Sequence, residues 1–140
     1  MDSIYEEFMT KLLKEISKYK VGDPNNRDTK IGPMARLDLF LKLKEQVIKS
    51  VEGGAKLLNT TIDEIDTNYE ISQGNFFHPV ILTDVSRSCT AYNEELFGPV
   101  FNIFRVKNHE EALNLANDTV FGLGASVFTK NNEKGKFKLN

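Results

Sequence analysis

The hydrophobic period of this chain changes at Gly53-Gly54, and that change limits the folds open to it. Before the glycines, apolar residues recur at helical spacing. Ile4, Phe8, Leu12, Leu13, Ile16 and Tyr19 predict a helix over about residues 4–19, opened by a Ser3–Glu6 capping box. Val21 to Asn26 is dense in turn formers. Leu37, Phe40, Leu41, Val47, Ile48 and Val51 predict a second helix, with Pro33 in its first turn and Gly53-Gly54 as its stop. Beyond the glycines come short β-forming runs. These are Ala55–Leu58, Phe76–Leu82, Val100–Val106 and the glycine-containing Phe121–Phe128. Pro79 predicts that the second of them is an edge or irregular strand. Residues 59–75, polar and acidic, predict an exposed connection. Asn108 and Glu111 form a second capping-box pattern, opening a helix with Ala112, Leu113, Leu115 and Ala116 on its apolar side. Thr129 is placed to cap a last turn near Lys130, and the closing GKFKLN reads as a frayed or cut end. Alternating helices and apolar strands predict an α/β fold: a parallel or mixed sheet covered by helices.

Composition narrows the function classes. With 140 residues, 40% of them hydrophobic, the chain suffices for one domain with a core. Net charge is -2 with the two signs interspersed, so no nucleic-acid partner is expected. No apolar run approaches the roughly 20 residues that span a bilayer. The opening MDSIYEEF carries acids where a signal peptide carries bases. No membrane association is expected, and a cytoplasmic location is. Cys89, the single cysteine, cannot form an internal disulfide or a cysteine-based zinc cluster.

Several residues invite a chemical role. Cys89 has Arg87 near it in sequence but no histidine, so it reads as structural rather than nucleophilic. His78 and His109 lack further ligands at metal spacing and read as structural; no metal site is assigned. Gly122-x-Gly124 lacks the third glycine and the helix of a dinucleotide fingerprint, and close backbone packing in a strand is the better account. Asp23-Pro24-Asn25 with Asp28 does not have the spacing of a calcium loop and reads as a turn. The stretch Glu94-Glu95-Leu96-Phe97-Gly98-Pro99-Val100 admits more than one role by residue type and spacing. Its two acids suit a catalytic pair, a solvated turn, or half of a site completed elsewhere. A shared proton is disfavoured, because adjacent residues on an extended segment point to opposite sides.

Seven short motifs, in order, resemble the aldehyde dehydrogenase superfamily, in the C-terminal part of its catalytic domain. They are VGDP (21–24), KIGPMAR (30–36), SVEGGAKLL (50–58), GNFFHPVILTDV (74–85), EELFGPV (94–100), EEALNLAND (110–118) and FGLGASVFT (121–129). The flavour is similar to the succinate-semialdehyde dehydrogenase branch. The resemblance implies NAD(P)-dependent oxidation of an aldehyde to a carboxylic acid, through a nucleophilic cysteine, a general-base glutamate and an oxyanion-stabilising asparagine. In the family all three stand N-terminal to the matching segment, the cysteine in a Gly-Gln-x-Cys pattern that this chain lacks. No catalytic residue is therefore assigned. Residues 1–140 read as a partial catalytic domain, without the dinucleotide-binding domain and the catalytic-cysteine segment.

By the same resemblance, Glu95 and Phe97 contact the nicotinamide riboside half of the cofactor, NAD or NADP. A carboxylate accepts hydrogen bonds from the vicinal ribose hydroxyls, and an aromatic offers a wall to a planar ring. Binding of the whole dinucleotide by this chain alone is not expected, since nothing would hold the adenine half. The first functional expectation is thus an inactive piece of an aldehyde dehydrogenase. The second is a non-enzymatic module that pairs with itself or with a full-length relative through apolar surface. A third, a remodelled domain with an unrelated ligand, has no positive support in the residues.

Overall fold

The computed structural model describes residues 1–68, 74–122 and 124–131, with side chains in residues 66–68 left aside. A 3-10 turn, Asp2–Ile4, leads into α1, Tyr5–Ile16. Then follow α2 (Leu37–Glu52), β1 (Lys56–Leu57), α3 (Ile62–Asn68), β2 (Val80–Thr83), α4 (Thr90–Asn93), β3 (Val100–Asn102) and α5 (His109–Asn117). The strands form one mixed sheet in the order β1-β2-β3. β1 pairs antiparallel with β2, and β2 pairs parallel with β3 in the register Val80↔Val100, Ile81↔Phe101, Leu82↔Asn102. The α/β expectation of a mixed sheet under helices holds.

β2 is buried at all four residues, so it is the centre of the sheet and not the edge that Pro79 suggested. The proline precedes the strand, where its missing N–H removes no ladder bond. The two faces of β2 anchor two cores. Val80 and Leu82 pack with Phe40, Leu43 and Val47 of α2, with Ile65 of α3 and with Phe77. Ile81 packs on the other face with Met9 and Ile16 of α1, joined by Leu12, Leu13 and Ile103. The rings of Phe40 and Phe77 meet edge to face, 5.9 Å between centroids.

Several boundaries differ from the sequence expectation. α1 is shorter than 4–19 and has no side-chain cap, so the Ser3–Glu6 box does not form. Asp2 and Glu6 instead hold Arg105, and the Asp2 N–H donates to the Val106 carbonyl at 2.8 Å. The buried stripe of α1 is Met9, Leu12, Leu13 and Ile16, while Ile4 and Phe8 lie on its exposed side. α2 starts at Leu37, so Pro33 lies outside it; Gly53 and Gly54 do end it, Gly54 taking a φ of 106° that favours glycine. The stretch 59–75 is not all connection. α3 forms there and buries Ile65 completely. Its cap is a Thr61–Glu64 box: the Glu64 N–H donates to Thr61 Oγ1 at 3.2 Å, and the Thr61 N–H to Glu64 Oε2 at 2.9 Å. Residues 69–73 of that stretch lie outside the described residues. α5 opens as expected on Asn108, whose Oδ1 accepts from the Glu111 N–H at 2.9 Å.

The β3 run ends at Asn102 rather than Val106. Residues 121–122 and 124–128 join no strand, against the expected Phe121–Phe128 strand. Thr129 Oγ1 accepts from the Asn131 N–H at 3.1 Å, a side-chain turn at Lys130; residues 132–140, with the rest of that turn and GKFKLN, lie outside the described residues. Among the described residues no helix is long and apolar enough to cross a membrane.

Candidate functional site

The stretch Glu94–Val100 leaves α4, crosses one face of α2 and enters β3. Two backbone bonds fold it tightly: Gly98 N–H to the Leu96 carbonyl at 3.0 Å, and Val100 N–H to the Gly98 carbonyl at 2.8 Å. The Val80 N–H donates to the Pro99 carbonyl at 3.0 Å, tying the exit to the central strand. Beneath lies the buried row of α2, Phe40, Leu43, Gln46, Val47 and Ser50, at the i, i+3, i+4 spacing of one helical face. Gly98 packs on Leu43 so closely that a Cβ there would stand 2.3 Å from Leu43 Cδ2.

Gln46 is one of two polar members of that row, with Ser50, and is only 4% exposed. Its Nε2 donates to Glu94 Oε2 at 2.8 Å and to the Glu95 carbonyl at 3.2 Å. Among the described residues the Glu95 carboxylate has no hydrogen-bond partner. Glu94 and Glu95 therefore have different environments, and among the described residues no hydrogen bond joins their carboxylates. They do not face fully opposite sides, as an ideal extended segment would have it. Both border one open groove of about 530 Å³, lined also by Leu39, Lys42, Gln46, Phe97 and Phe121. Glu94 also borders a neighbouring cleft with Tyr92, Phe104 and Asp118. There the Tyr92 hydroxyl donates to Asp118, which holds the phenol above its ordinary value, and Arg87 reaches the same carboxylate.

Glu95 and Phe97, the two residues singled out in the sequence, thus line one groove. Phe97 is 66% exposed, so its ring is available to something outside this chain's core. A free carboxylate acceptor beside an exposed aromatic face suits a sugar diol joined to a planar ring, and the groove volume falls in the ordinary range for small-molecule sites. The residues present fit the riboside half of a nicotinamide cofactor. Sequence reasoning did not include Leu39, Lys42, Gln46 or Phe121 in this groove. The one signal for Gln46 was a polar residue interrupting an apolar helical row.

The remaining candidates find structural places. Cys89 is fully buried, its Sγ donating to the Gly53 carbonyl at 3.4 Å and accepting from the Ser86 N–H at 3.4 Å. His78 lines a pocket between α1 and the start of β2, and His109 opens α5, so the two histidines do not converge. Asp23 Oδ1 accepts from the Asn25 N–H at 2.8 Å, the side-chain turn expected there. Gly122 and Gly124 are not sites of close packing: a Cβ at either would meet nothing within 4 Å.

Comparison with known proteins bears on the family and the fold. Residues 1–138 match the model of the aldehyde dehydrogenase family. The chain is 41% identical over 133 residues to a probable succinate-semialdehyde dehydrogenase [NADP(+)] of Synechocystis, which covers 94% of this chain and 28% of that relative. It is 38% identical over 128 residues to the succinate semialdehyde dehydrogenase [NAD(P)+] Sad of Escherichia coli, covering 91% of this chain and 26% of the relative. The crystal structure of succinic semialdehyde dehydrogenase from Streptococcus pyogenes in complex with NADP+ superposes with a TM-score of 0.82 at 31% identity, over 96% of this chain and 28% of that one. Betaine aldehyde dehydrogenase from Staphylococcus aureus in complex with NAD+ gives 0.82 at 28% identity, over 97% and 27%. The chain spans about a quarter of the length of the relatives it matches. On the family match across nearly its whole length, the chain belongs to the aldehyde dehydrogenase family.

Proposed function

We propose that this chain is part of an NAD(P)-dependent aldehyde dehydrogenase and supplies one wall of its nicotinamide-riboside site. The reaction is oxidation of an aldehyde to a carboxylic acid. The names of the relatives point to succinic semialdehyde as the substrate, with both NAD and NADP open as cofactor. A bound nicotinamide cofactor would supply the hydride acceptor for this oxidation, with Glu95 and Phe97 the residues that would hold its riboside half. The chain's own residues orient the nicotinamide ring: Glu95 accepts from the ribose hydroxyls, and Phe97 offers its face as an apolar wall. The observation that carries this reading is that both side chains border one groove, the carboxylate without a partner among the described residues. Neither residue breaks a bond. Cys89, buried and hydrogen-bonded to backbone, does not supply the nucleophile. The 140-residue polypeptide is therefore expected to give no turnover of succinic semialdehyde with either cofactor.

The direct test is a titration of the ¹⁵N-labelled chain with nicotinamide mononucleotide, followed by amide shifts. Shifts centred on Glu95, Phe97 and Gln46, removed in Glu95→Ala, are expected. A response elsewhere in the molecule, or none at the solubility limit of the ligand, would overturn the assignment.

A second reading, a non-enzymatic module that associates with itself or with a full-length relative, is favoured by the exposed apolar side chains Val120, Phe121, Val127 and Phe128.

A further inference from the structure

α2 and the segment 88–98 run antiparallel, joined by four successive contacts. The Gly53 carbonyl accepts from Ser88 Oγ at 2.9 Å. Ser50 Oγ accepts from the Ala91 N–H at 2.8 Å. Gln46 Nε2 reaches Glu94 and the Glu95 carbonyl. Leu43 packs on Gly98. Positions fall by three, four and three along the helix as they rise along the segment, so one face of α2 serves as a ruler for it. The first two contacts fall on or before α4 and the last on the turn before β3. Between them, Gln46 makes the side-chain hydrogen bonds that reach Glu94–Phe97 among the described residues.

Resting on the cofactor-groove reading above, we propose that Gln46 is a positioning residue. Its amide fixes the peptide plane at Glu95, and so aims the Glu95 carboxylate and the Phe97 ring into the groove. The side-chain chemistry matches the task. A primary amide carries two N–H donors. Here they engage a carboxylate and the next residue's carbonyl, two acceptors that a second acid in that place would repel. Because Gln46 is buried in a helical row, its own rotamer is held by packing. The loop then meets a ligand already ordered, instead of losing that freedom on binding.

The test uses the full chain and three forms of it: wild type, Gln46→Met and Glu94→Gln. Methionine keeps the length and volume but donates nothing. Glu94→Gln keeps an acceptor oxygen for Gln46 and serves as the conservative control. In Q46M, ¹⁵N relaxation at residues 94–97 is expected to move from the rigid range, an order parameter of about 0.85, to below about 0.6. Nicotinamide mononucleotide is expected to bind about five-fold or more weakly, the scale of one or two lost hydrogen bonds. E94Q should keep the loop as ordered as in the wild type. Unchanged amide shifts along β2 show that Q46M is folded. A loop that remains rigid in Q46M would overturn the proposal, as would a loosened loop that binds with unchanged affinity. If the wild-type chain shows no response to the mononucleotide, the cofactor reading falls, and loop order in Q46M against E94Q still decides whether Gln46 sets the loop's conformation.

Discussion

At the scale of single residues, the loop is shaped as much by what is missing as by what is bonded. Gly98 has no Cβ to drive into Leu43, and Leu43 is 1% exposed, so it has little room to move aside. Gly98→Ala is expected to destabilise the chain by about 1–3 kcal/mol in urea unfolding, the range for overpacking a filled core. In a Leu43→Ala background the same change should cost clearly less, because the methyl would enter the space vacated. Additive losses would show that the close approach is not what makes alanine unfavourable. Asp38, in the first turn of α2, provides a titration handle at the base of the same helix. Arg36 Nε donates to its Oδ1 at 2.8 Å, and this hydrogen bond, aided by the guanidinium charge, lowers the Asp38 carboxyl from 3.8 to about 2. A depressed pKa in the folded state means stability that is present above pH 3.8 and lost as pH falls toward about 2. The pair is exposed, so its contribution is screened and small. The titration itself is the measurable quantity. The Asp38 carboxyl ¹³C midpoint is expected near 2, returning toward 3.8 in Arg36→Gln. A midpoint that ignores Arg36 would refute the pairing.

At the scale of elements, α3 shows how a short cap decides a helix. Its residues are polar enough to read as a connection, yet Thr61 and Glu64 satisfy two of its free N-terminal donors and Ile65 fills the core below. Thr61→Ala is expected to cost about 1 kcal/mol in urea unfolding, and Thr61→Ser to recover most of it. Equal losses in the two variants would mean that the hydroxyl is not the cap. This helix marks where sequence pattern stops being sufficient. Ser3–Glu6 and Thr61–Glu64 have the same spacing, and tertiary contacts separate them: Arg105 draws Asp2 and Glu6 away, while Glu64 takes only local donors, the Thr61 N–H and Thr60 Oγ1, among the described residues. The helical periods of α1 and α2, the glycine stop and the Asn108 cap were legible because they are local. That β2 is central was not, since strand order depends on pairing with residues before and after it. The site divides in the same way. Glu95 and Phe97 were legible as neighbours within one motif, whereas Gln46 lies 48 residues from the Glu94 it holds, and no local pattern joins them.

At the scale of the whole molecule, two cores back a short sheet, and part of the apolar content finds no cover. β2 is enclosed between α1 and α2, but the stretch after α5 is not enclosed by anything among the described residues: Val120 is 91% exposed and Phe128 96%. Phe121 next to Val120 and Val127 next to Phe128 are also exposed, which makes two apolar pairs rather than isolated side chains. Apolar area left in water at about 25 cal/mol per Å² is a driving force for association, and a net charge of -2 opposes it weakly. Phe121 lines the Glu95 groove, whereas Val127 and Phe128 line a separate pocket with α5. An association that covered Phe121 would therefore also close one side of the site. The chain is expected to show a rising average mass with concentration in size-exclusion chromatography with light scattering, and Val127→Ser/Phe128→Ser to shift it toward the monomer. Nicotinamide mononucleotide shifts at Glu95 should change with concentration in the wild-type chain and stay constant in the double variant. A wild-type chain that remains monomeric up to its solubility limit would show that this surface is tolerated in water, and would remove the case for an association module while leaving the groove itself intact.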